Sequence, residues 1–261
     1  MDISLAGNNL PRHRALPPKG APEAVFYEQT SAAAEIMTLA NIPDGVFPFL
    51  QMETLTTFEA MSSGNHDVLV EMGCYDGRAL EVARFSGARY VGVDLNESAI
   101  EKLRARIERE DMSELATTVI DDVFRHRDWD RSVLGNRPLY VLPFNLLGTF
   151  RDPMRFLTSL SRSGGSAVVS VFSDGLEATA VRQTYYNNCG VRALQFSSIG
   201  DGGVLFVGQN AFYSRSYSQR SFHTLLADSG ATVLRNRSNS VGHCATILLD
   251  SLVDRPYRNR E

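Results

Sequence analysis

The chain has 261 residues, of which 43% are hydrophobic and 21% are charged, and its formal net charge is -4. This length suffices for one large α/β domain or two small ones, and the balance is typical of a globular protein with a sizeable core. The acidic net charge argues against a nucleic-acid partner, because there is no excess positive charge to neutralise phosphates.

The first residues and the cysteines indicate the compartment. Residues 1–14 have no apolar signal core, and the longest apolar stretch, near 139–147, is too short to span a bilayer. The three cysteines are scattered and form no CxxC pair, which favours a reduced protein over a disulfide scaffold. We therefore expect a cytoplasmic protein without a membrane partner.

The N-terminal quarter has two parts. Residues 1–20 carry Pro, Gly, Asn and Arg without apolar periodicity, which predicts a mobile tail. Residues 21–62 form two helical patterns separated by a Pro/Gly break at 42–46.

From residue 63 onward, buried strands alternate with helical patterns. The predicted strands are 67–73, 89–95, 116–121, 139–144 and 166–172. The predicted helices are 76–83, 97–110 with Asn96 as its N-cap, and 152–161. Strand and helix alternating at this spacing predict a parallel sheet with helices on both faces.

The last third has a different pattern. After a helix near 176–188, the segments 191–199 and 203–214 flank a GDGG turn and predict an antiparallel pair. A helix at 218–228 and strands at 231–236 and 244–250 complete the chain. The predicted fold is a doubly wound, seven-stranded, mostly parallel α/β domain over residues 63–261. Its insert at about 191–214 and the helices of 21–62 are not used by the core sheet and are the expected lid.

One segment indicates a ligand. A glycine turn at Gly73 and Gly77 follows the first buried strand, where a backbone without Cβ can approach a ligand closely. Asp94 ends the next strand, where its carboxylate can accept both hydroxyls of a ribose. A nucleoside-type ligand lying across the carboxyl ends of adjacent strands is therefore expected.

This segment resembles the cofactor-binding region of class I S-adenosylmethionine-dependent methyltransferases. Their first motif has an acidic residue and then glycines at alternate positions, and here the series is Glu71, Gly73, Tyr75 and Gly77. Tyr75 stands where the family usually has its middle glycine. The resemblance implies a Rossmann-like fold and assigns Asp94 to the ribose.

Two later segments extend the resemblance. Asp121, at the end of the third strand, matches the position that usually reaches the adenine amine, with Asp122 as the alternative by a one-residue slip. The segment LPFNLLGTF resembles the stretch that lines the methionine end and the substrate, and Asn145 is its expected contact. Two alternatives stay open: Asn145 as a turn residue only, and Glu71 as a carboxylate that only caps a helix.

The resemblance implies S-adenosyl-L-methionine as cofactor and methyl transfer to a small-molecule acceptor. The expected substrate contacts are Tyr27, Asn145, Tyr185, Tyr186 and Tyr213. No general base can be named, because an amine acceptor needs only a lone pair whereas a hydroxyl needs a base. No metal is expected, since the histidines show no ligand spacing with cysteines or carboxylates.

Several alternatives stay open. They are an RNA or protein methyltransferase, a nicotinamide-dependent oxidoreductase, and a cofactor-binding module without catalysis. Tyr75 argues against the oxidoreductase, because the G-x-G-x-x-G fingerprint requires glycine at that position. The atom that is methylated and a homodimeric state are also left open.

Overall fold

The structure is a computed structural model that describes residues 26–27, 31–36 and 38–249. The predicted tail at 1–20 lies outside the described residues. The α-helices are α1 Ser31–Ile36, α2 Phe47–Gly64, α3 Leu80–Ser86, α4 Glu97–Arg109, α5 Arg131–Leu134, α6 Pro153–Ser161, α7 Leu176–Asn188 and α8 Gln219–Asp228. The strands are β1 Val68–Met72, β2 Arg89–Asp94, β3 Ala116–Ile120, β4 Pro138–Leu142, β5 Gly165–Phe172, β6 Gln195–Ser198, β7 Val204–Val207, β8 Tyr213–Arg215, β9 Thr232–Ser238 and β10 Gly242–Leu249.

The main sheet has seven strands in the order β3-β2-β1-β4-β5-β10-β9. The first five are parallel, and β10 runs antiparallel to both β5 and β9. This confirms the predicted seven-stranded, mostly parallel sheet. The chain order reverses between β1 and β4, so the sheet opens a crevice there at its carboxyl edge.

The helices cover both faces of this sheet because β1 is apolar on both of its sides. Val68, Val70 and Met72 pack into one core with α6 and α8, whereas Leu69 packs into a second core with α3 and α4. All five β1 residues are buried, as expected of a central parallel strand. No described helix has the length and apolarity that crossing a membrane requires.

Two predicted bounds differ from the structure for local reasons. The helix predicted from residue 76 begins at Leu80, because Gly77 adopts a φ of +79° that helical backbone cannot accommodate. The strand predicted to reach residue 144 ends at Leu142, because Pro143 has no N–H to donate and Phe144 has a φ of +45°. In α4, Asn96 is the N-cap as predicted, with its Oδ1 accepting from the Ala99 amide at 3.1 Å.

The insert is a three-stranded antiparallel sheet, β6-β7-β8, rather than the predicted pair. The predicted second strand contains both β7 and β8. It is interrupted at Asn210 and Ala211, whose φ angles of +56° and +61° turn the chain back on itself.

The described N-terminal segments lie in two different places. Helix α2 packs against α3, β4, β5 and β10, so it covers one face of the main sheet. Phe26 and Ile36, which precede α2, join an aromatic core with Tyr185 and with Phe212 of the insert, to which the first turn of α2 also contributes. The lid over residues 21–62 stays a prediction.

Candidate active site

A cavity lies along the carboxyl edge of the main sheet. Its wall contains Gly73 after β1, Asp94 at the end of β2, Asp122 after β3, Asn145 after β4 and Phe172 at the end of β5. The N-terminal segments add Tyr27, Ala33 and Ile36, α7 adds Tyr185 and Tyr186, and β8 adds Ser214. This edge is where doubly wound sheets bind ligands.

The turn after β1 approaches the cavity closely. Gly73 has a φ of +67°, and a Cβ there would lie 3.0 Å from Leu146 Cδ1. The amides of Gly73 and Cys74 both donate to the Val93 carbonyl, at 2.8 and 3.0 Å. The positive φ therefore favours glycine at this position, and a side chain there would press on Leu146.

Tyr75 also lines the cavity and adopts a left-handed φ of +48°. Its amide donates to Asp94 Oδ2 at 2.9 Å, which fixes this unusual conformation. Its hydroxyl lies 3.1 Å from Lys102 Nζ and 3.5 Å from Thr38 Oγ1. Where the family usually has glycine, this chain has a side chain that joins the turn to α4 and to the N-terminal region.

Gly77 does not line the described cavity. A Cβ at this position would lie 2.4 Å from Leu103 Cδ1, so glycine allows the turn to pack directly on α4. Its proposed contribution to the ligand site is consequently indirect.

Glu71 is turned away from the cavity. Its Oε2 accepts from the Ala79 amide at 3.0 Å and from the Tyr90 hydroxyl at 2.7 Å. The side chain is buried, and burial raises the pKa of its carboxyl to about 8. This geometry favours the alternative in which Glu71 only caps a helix, since it binds the backbone at the start of α3.

Asp94 is placed as the sequence predicts, facing the cavity at the end of β2. Its two oxygens accept from the amides of Tyr75 and Asn96, each at 2.9 Å. Burial raises the pKa of this carboxyl above its ordinary value. The two amide bonds fix its orientation and leave acceptor capacity on both oxygens for a further ligand.

The structure distinguishes the two aspartates after β3. Asp121 does not line the cavity, since its carboxylate accepts from Arg125 and, at 3.1 Å, from the Trp129 indole N–H. Asp122 does line it, and its Oδ1 accepts from the Phe124 amide at 2.9 Å. Successive residues of an extended chain face opposite sides, so a slip of one residue decides which carboxylate reaches the ligand.

Asn145 faces the cavity from a left-handed turn with a φ of +65°. Its Oδ1 accepts from the Phe172 amide at 3.0 Å, and its Nδ2 donates to Ser214 Oγ at 3.1 Å. Asn145 is thus both a turn residue and a cavity residue, and its amide holds β4, β5 and β8 together.

Three of the predicted substrate tyrosines meet at one end of the cavity and one does not. Tyr27, Tyr185 and Tyr186 line it. Tyr213 does not line it, and its ring packs against the Arg151 guanidinium at 5.0 Å. On β8 it is Ser214, the next residue along, that reaches the cavity.

A buried cation that the sequence patterns had not indicated lies behind the tyrosine end of the cavity. Arg182 on α7 is fully buried and lies on the helix face that also carries Tyr185 and Tyr186. The spacing of Ala178, Arg182 and Tyr185 places all three on one face of a helix, which is the signal that could have identified it.

A buried ion pair was also overlooked. Glu53 on α2 accepts from the Arg78 guanidinium, from the Ser170 hydroxyl and, at 2.7 Å, from the Phe144 amide. It therefore connects α2 with the turn after β1 and with the turn after β4. Its spacing from Phe49 and Leu50 places it on the apolar face of α2, which is the sequence signal for it.

The comparison with family models identifies one family. A family model described as a methyltransferase domain matches residues 49–236. The sequence has no significant match among curated proteins.

Solved structures share the fold at low sequence identity. The 1,6-didemethyltoxoflavin-N1-methyltransferase of Burkholderia thailandensis, with 1,6-didemethyltoxoflavin and S-adenosylhomocysteine bound, is 15% identical at a TM-score of 0.55, over 90% of this chain and 92% of that chain. The magnesium protoporphyrin IX methyltransferase of Synechocystis PCC 6803, with bound S-adenosylhomocysteine, is 13% identical at a TM-score of 0.55. The match covers 85% of this chain and 96% of that chain. A methyltransferase from Methanosarcina mazei is 15% identical at a TM-score of 0.50, and the match covers 71% of this chain and 93% of that chain.

Proposed function

This chain belongs to the methyltransferase-domain family, and from that premise we propose that it transfers a methyl group from S-adenosylmethionine to a small-molecule acceptor. The observation that carries the proposal is the single cavity wall that joins the Gly73 turn and Asp94 to the aromatic end at Tyr185 and Tyr186. One such cavity can hold a nucleoside cofactor and an acceptor end to end.

The residues at the β1–β3 end fit the cofactor. Asp94 would accept the ribose hydroxyls, and Asp122 would face the adenine amine. The open backbone at Gly73 leaves room for the rest of the molecule, since a Cβ there would already contact Leu146. The cofactor when bound supplies a methyl group on a positively charged sulfur, already activated for displacement.

The acceptor then occupies the β4–β5 end. Neighbouring strands lie about 4.8 Å apart, so β3 and β5, which are four positions apart in the sheet, are separated by about 19 Å. This length accommodates two ligands in line. The protein orients them and excludes water, which is the main contribution that an activated methyl donor requires.

Binding experiments test the proposal directly. Calorimetric titration should show saturable binding of S-adenosylhomocysteine and none of NAD. Saturable NAD binding without a response to S-adenosylhomocysteine would make the chain a nicotinamide-binding protein. S-adenosylhomocysteine binding without methyl transfer to any compound in a metabolite extract would instead indicate a non-catalytic module.

Asp94→Ala should weaken S-adenosylhomocysteine binding about 5- to 150-fold, because two buried ribose hydroxyls lose a charged acceptor. Asp128→Ala is the matched control, because this carboxylate is 69% exposed and its nearest cation, Arg125, is 3.7 Å away. Unfolding curves for both variants should show a folded protein. Unchanged affinity in folded Asp94→Ala would remove Asp94 from the cofactor site.

Removing residues 1–37 should lower turnover at least about 100-fold, because Tyr27, Ala33 and Ile36 form part of the wall around the cavity. Binding of S-adenosylhomocysteine should fall less than about tenfold, since Asp94, Asp122 and Gly73 remain. Removal of residues 1–20 alone is the control and should be nearly silent.

Circular dichroism must first show that the shortened chain folds. Turnover at the full-length rate in a folded protein of residues 38–261 would exclude this segment as the lid. The β6–β8 insert would then be the remaining candidate.

A further inference from the structure

The acceptor end of the cavity is backed by a positive charge that has no carboxylate beside it. Arg182 is fully buried, and it forms no ion pair within the described part of the chain. Its guanidinium donates to the carbonyls of Val204 and Ser214, at 3.1 and 2.8 Å, and to Ser214 Oγ at 3.1 Å. The Phe206 ring lies 4.5 Å away.

Neutral carbonyls and an aromatic ring satisfy the hydrogen atoms of a guanidinium but do not neutralise its charge. A buried cation without a counter-ion is unfavourable, because desolvation penalises the charged form. The cavity wall next to Arg182 is therefore a place where a negatively charged ligand group is stabilised.

The hydrogen bonds around Ser214 determine what reaches the cavity. Ser214 Oγ lies 3.1 Å from Asn145 Nδ2, 3.1 Å from Arg182 Nη2 and 2.6 Å from the Tyr186 hydroxyl. The amide and the guanidinium can only donate here, so they occupy both lone pairs of Ser214 Oγ. The Ser214 proton must then be donated to Tyr186.

Tyr186 consequently has a proton to donate. Its oxygen accepts from Ser214 and lies 3.5 Å from Arg182 Nε. Its ring lines the cavity, and within the described part of the chain its proton has no acceptor once Ser214 donates to it. This hydroxyl can therefore donate to a ligand, and the nearby guanidinium strengthens it as a donor.

Its two tyrosine neighbours in the wall are neutral hydroxyls as well. Burial raises the pKa of Tyr185 and of Tyr27 well above the ordinary value, so neither is a phenolate base at neutral pH. The Tyr185 hydroxyl has no nitrogen or oxygen partner among the described residues. The carboxylates of the cavity wall, Asp94 and Asp122, follow β2 and β3, which lie on the other side of β1 from β4 and β5.

We propose that this donor end, formed by Tyr185, Tyr186 and Ser214 with Arg182 behind them, binds an oxyanion of the acceptor molecule. The inference rests on the proposed function and names the class of acceptor: a small acid, with a carboxylate or an ionised phenol or enol. Tyr186 donates to the oxyanion directly, and Arg182 acts through Ser214 and Tyr186 as a positioning residue.

Matched acid and neutral probes test this in the full-length protein saturated with S-adenosylhomocysteine. One pair is 2-naphthoate and 2-naphthamide, and the other is 4-nitrophenol and 4-nitroanisole. Each acid should bind at least about tenfold tighter than its neutral partner, because it gains charge-assisted hydrogen bonds. The pair with the larger ratio assigns the oxyanion as a carboxylate or an ionised hydroxyl.

Tyr186→Phe should reduce the affinity for the acid about tenfold and that for its neutral partner less than about threefold. Thr184→Ala, on the exposed side of the same helix, is the control and should change neither. Binding of 4-nitrophenol should also lower the pH at which its phenolate absorbance appears, and Tyr186→Phe should reverse part of that change. This spectroscopic signature would not follow from a purely structural role of the residue.

The results separate the two proposals. Absence of S-adenosylhomocysteine binding overturns the proposed function. Three results would overturn the oxyanion site while S-adenosylhomocysteine still binds normally. The neutral probes could bind as tightly as the acids, neither acid could bind, or Tyr186→Phe could affect both members of a pair equally.

Discussion

Replacing Glu53 with alanine is expected to lower the free energy of unfolding by about 3–5 kcal/mol. The Glu53 carboxylate is buried and has three donors: the Arg78 guanidinium, the Ser170 hydroxyl and the Phe144 amide. Its removal leaves the Arg78 cation and the Phe144 amide without an acceptor. The Ser170 hydroxyl keeps the Leu142 carbonyl as an acceptor, at 3.4 Å. The Arg78 side chain is 25% exposed and can recover some hydration, so the lower part of the range is expected.

Urea unfolding measures this effect, and α2 offers a matched control. Glu59 pairs with Arg235 and Arg237, but its side chain is 36% exposed. Glu59→Ala should therefore change the free energy of unfolding by less than about 1 kcal/mol. Equal losses from the two variants would mean that the buried pair contributes no more than a surface pair.

Replacing both partners tests whether the charge itself is needed. The double variant Glu53→Leu with Arg78→Met should recover part of the stability lost in Glu53→Ala, since it removes the uncompensated cation. Phe144 would still lack its acceptor, so the turn after β4 should stay weakened. The double variant is accordingly expected to remain less stable than the parent chain.

The second large effect concerns the pH dependence of stability. Burial raises the pKa of Glu71 from 4.5 to about 8 in the folded chain. Between these values the unfolded chain loses the proton while the folded chain retains it, so stability falls as pH rises. The loss is on the order of 1 kcal/mol per pH unit across that window.

Glu71→Gln should abolish this contribution, because the amide oxygen still accepts from Ala79 and carries no charge. The variant should gain stability relative to the parent as pH rises from 5 to 8, measured by urea unfolding. Glu81→Gln, on the partly exposed side of α3, is the control and should show a smaller trend. A flat or opposite trend for Glu71→Gln would show that the Glu71 carboxylate is ionised in the fold.

Local sequence patterns determined the architecture of this protein. Five strands separated by helices predict a parallel sheet, since the inner strands bury both faces and each helix buries one. The glycine turn and Asp94 were also identifiable, because glycine is the residue that most readily adopts a positive φ and because the carboxyl ends of parallel strands meet at the crevice. These features depend on neighbours within a few residues.

The sequence did not determine which side chains face the cavity. Asp121 and Asp122, or Tyr213 and Ser214, differ by one position, and extended chains alternate faces, so strand pairing and turn geometry decide between them. The partners of Glu53 are likewise distant, with Phe144 lying 91 and Ser170 lying 117 residues away along the chain. Arg182 meets Ser214 only because the insert folds back onto α7, 32 residues further along. Such contacts depend on the packing of elements remote in the sequence, and only the tertiary structure brings them together.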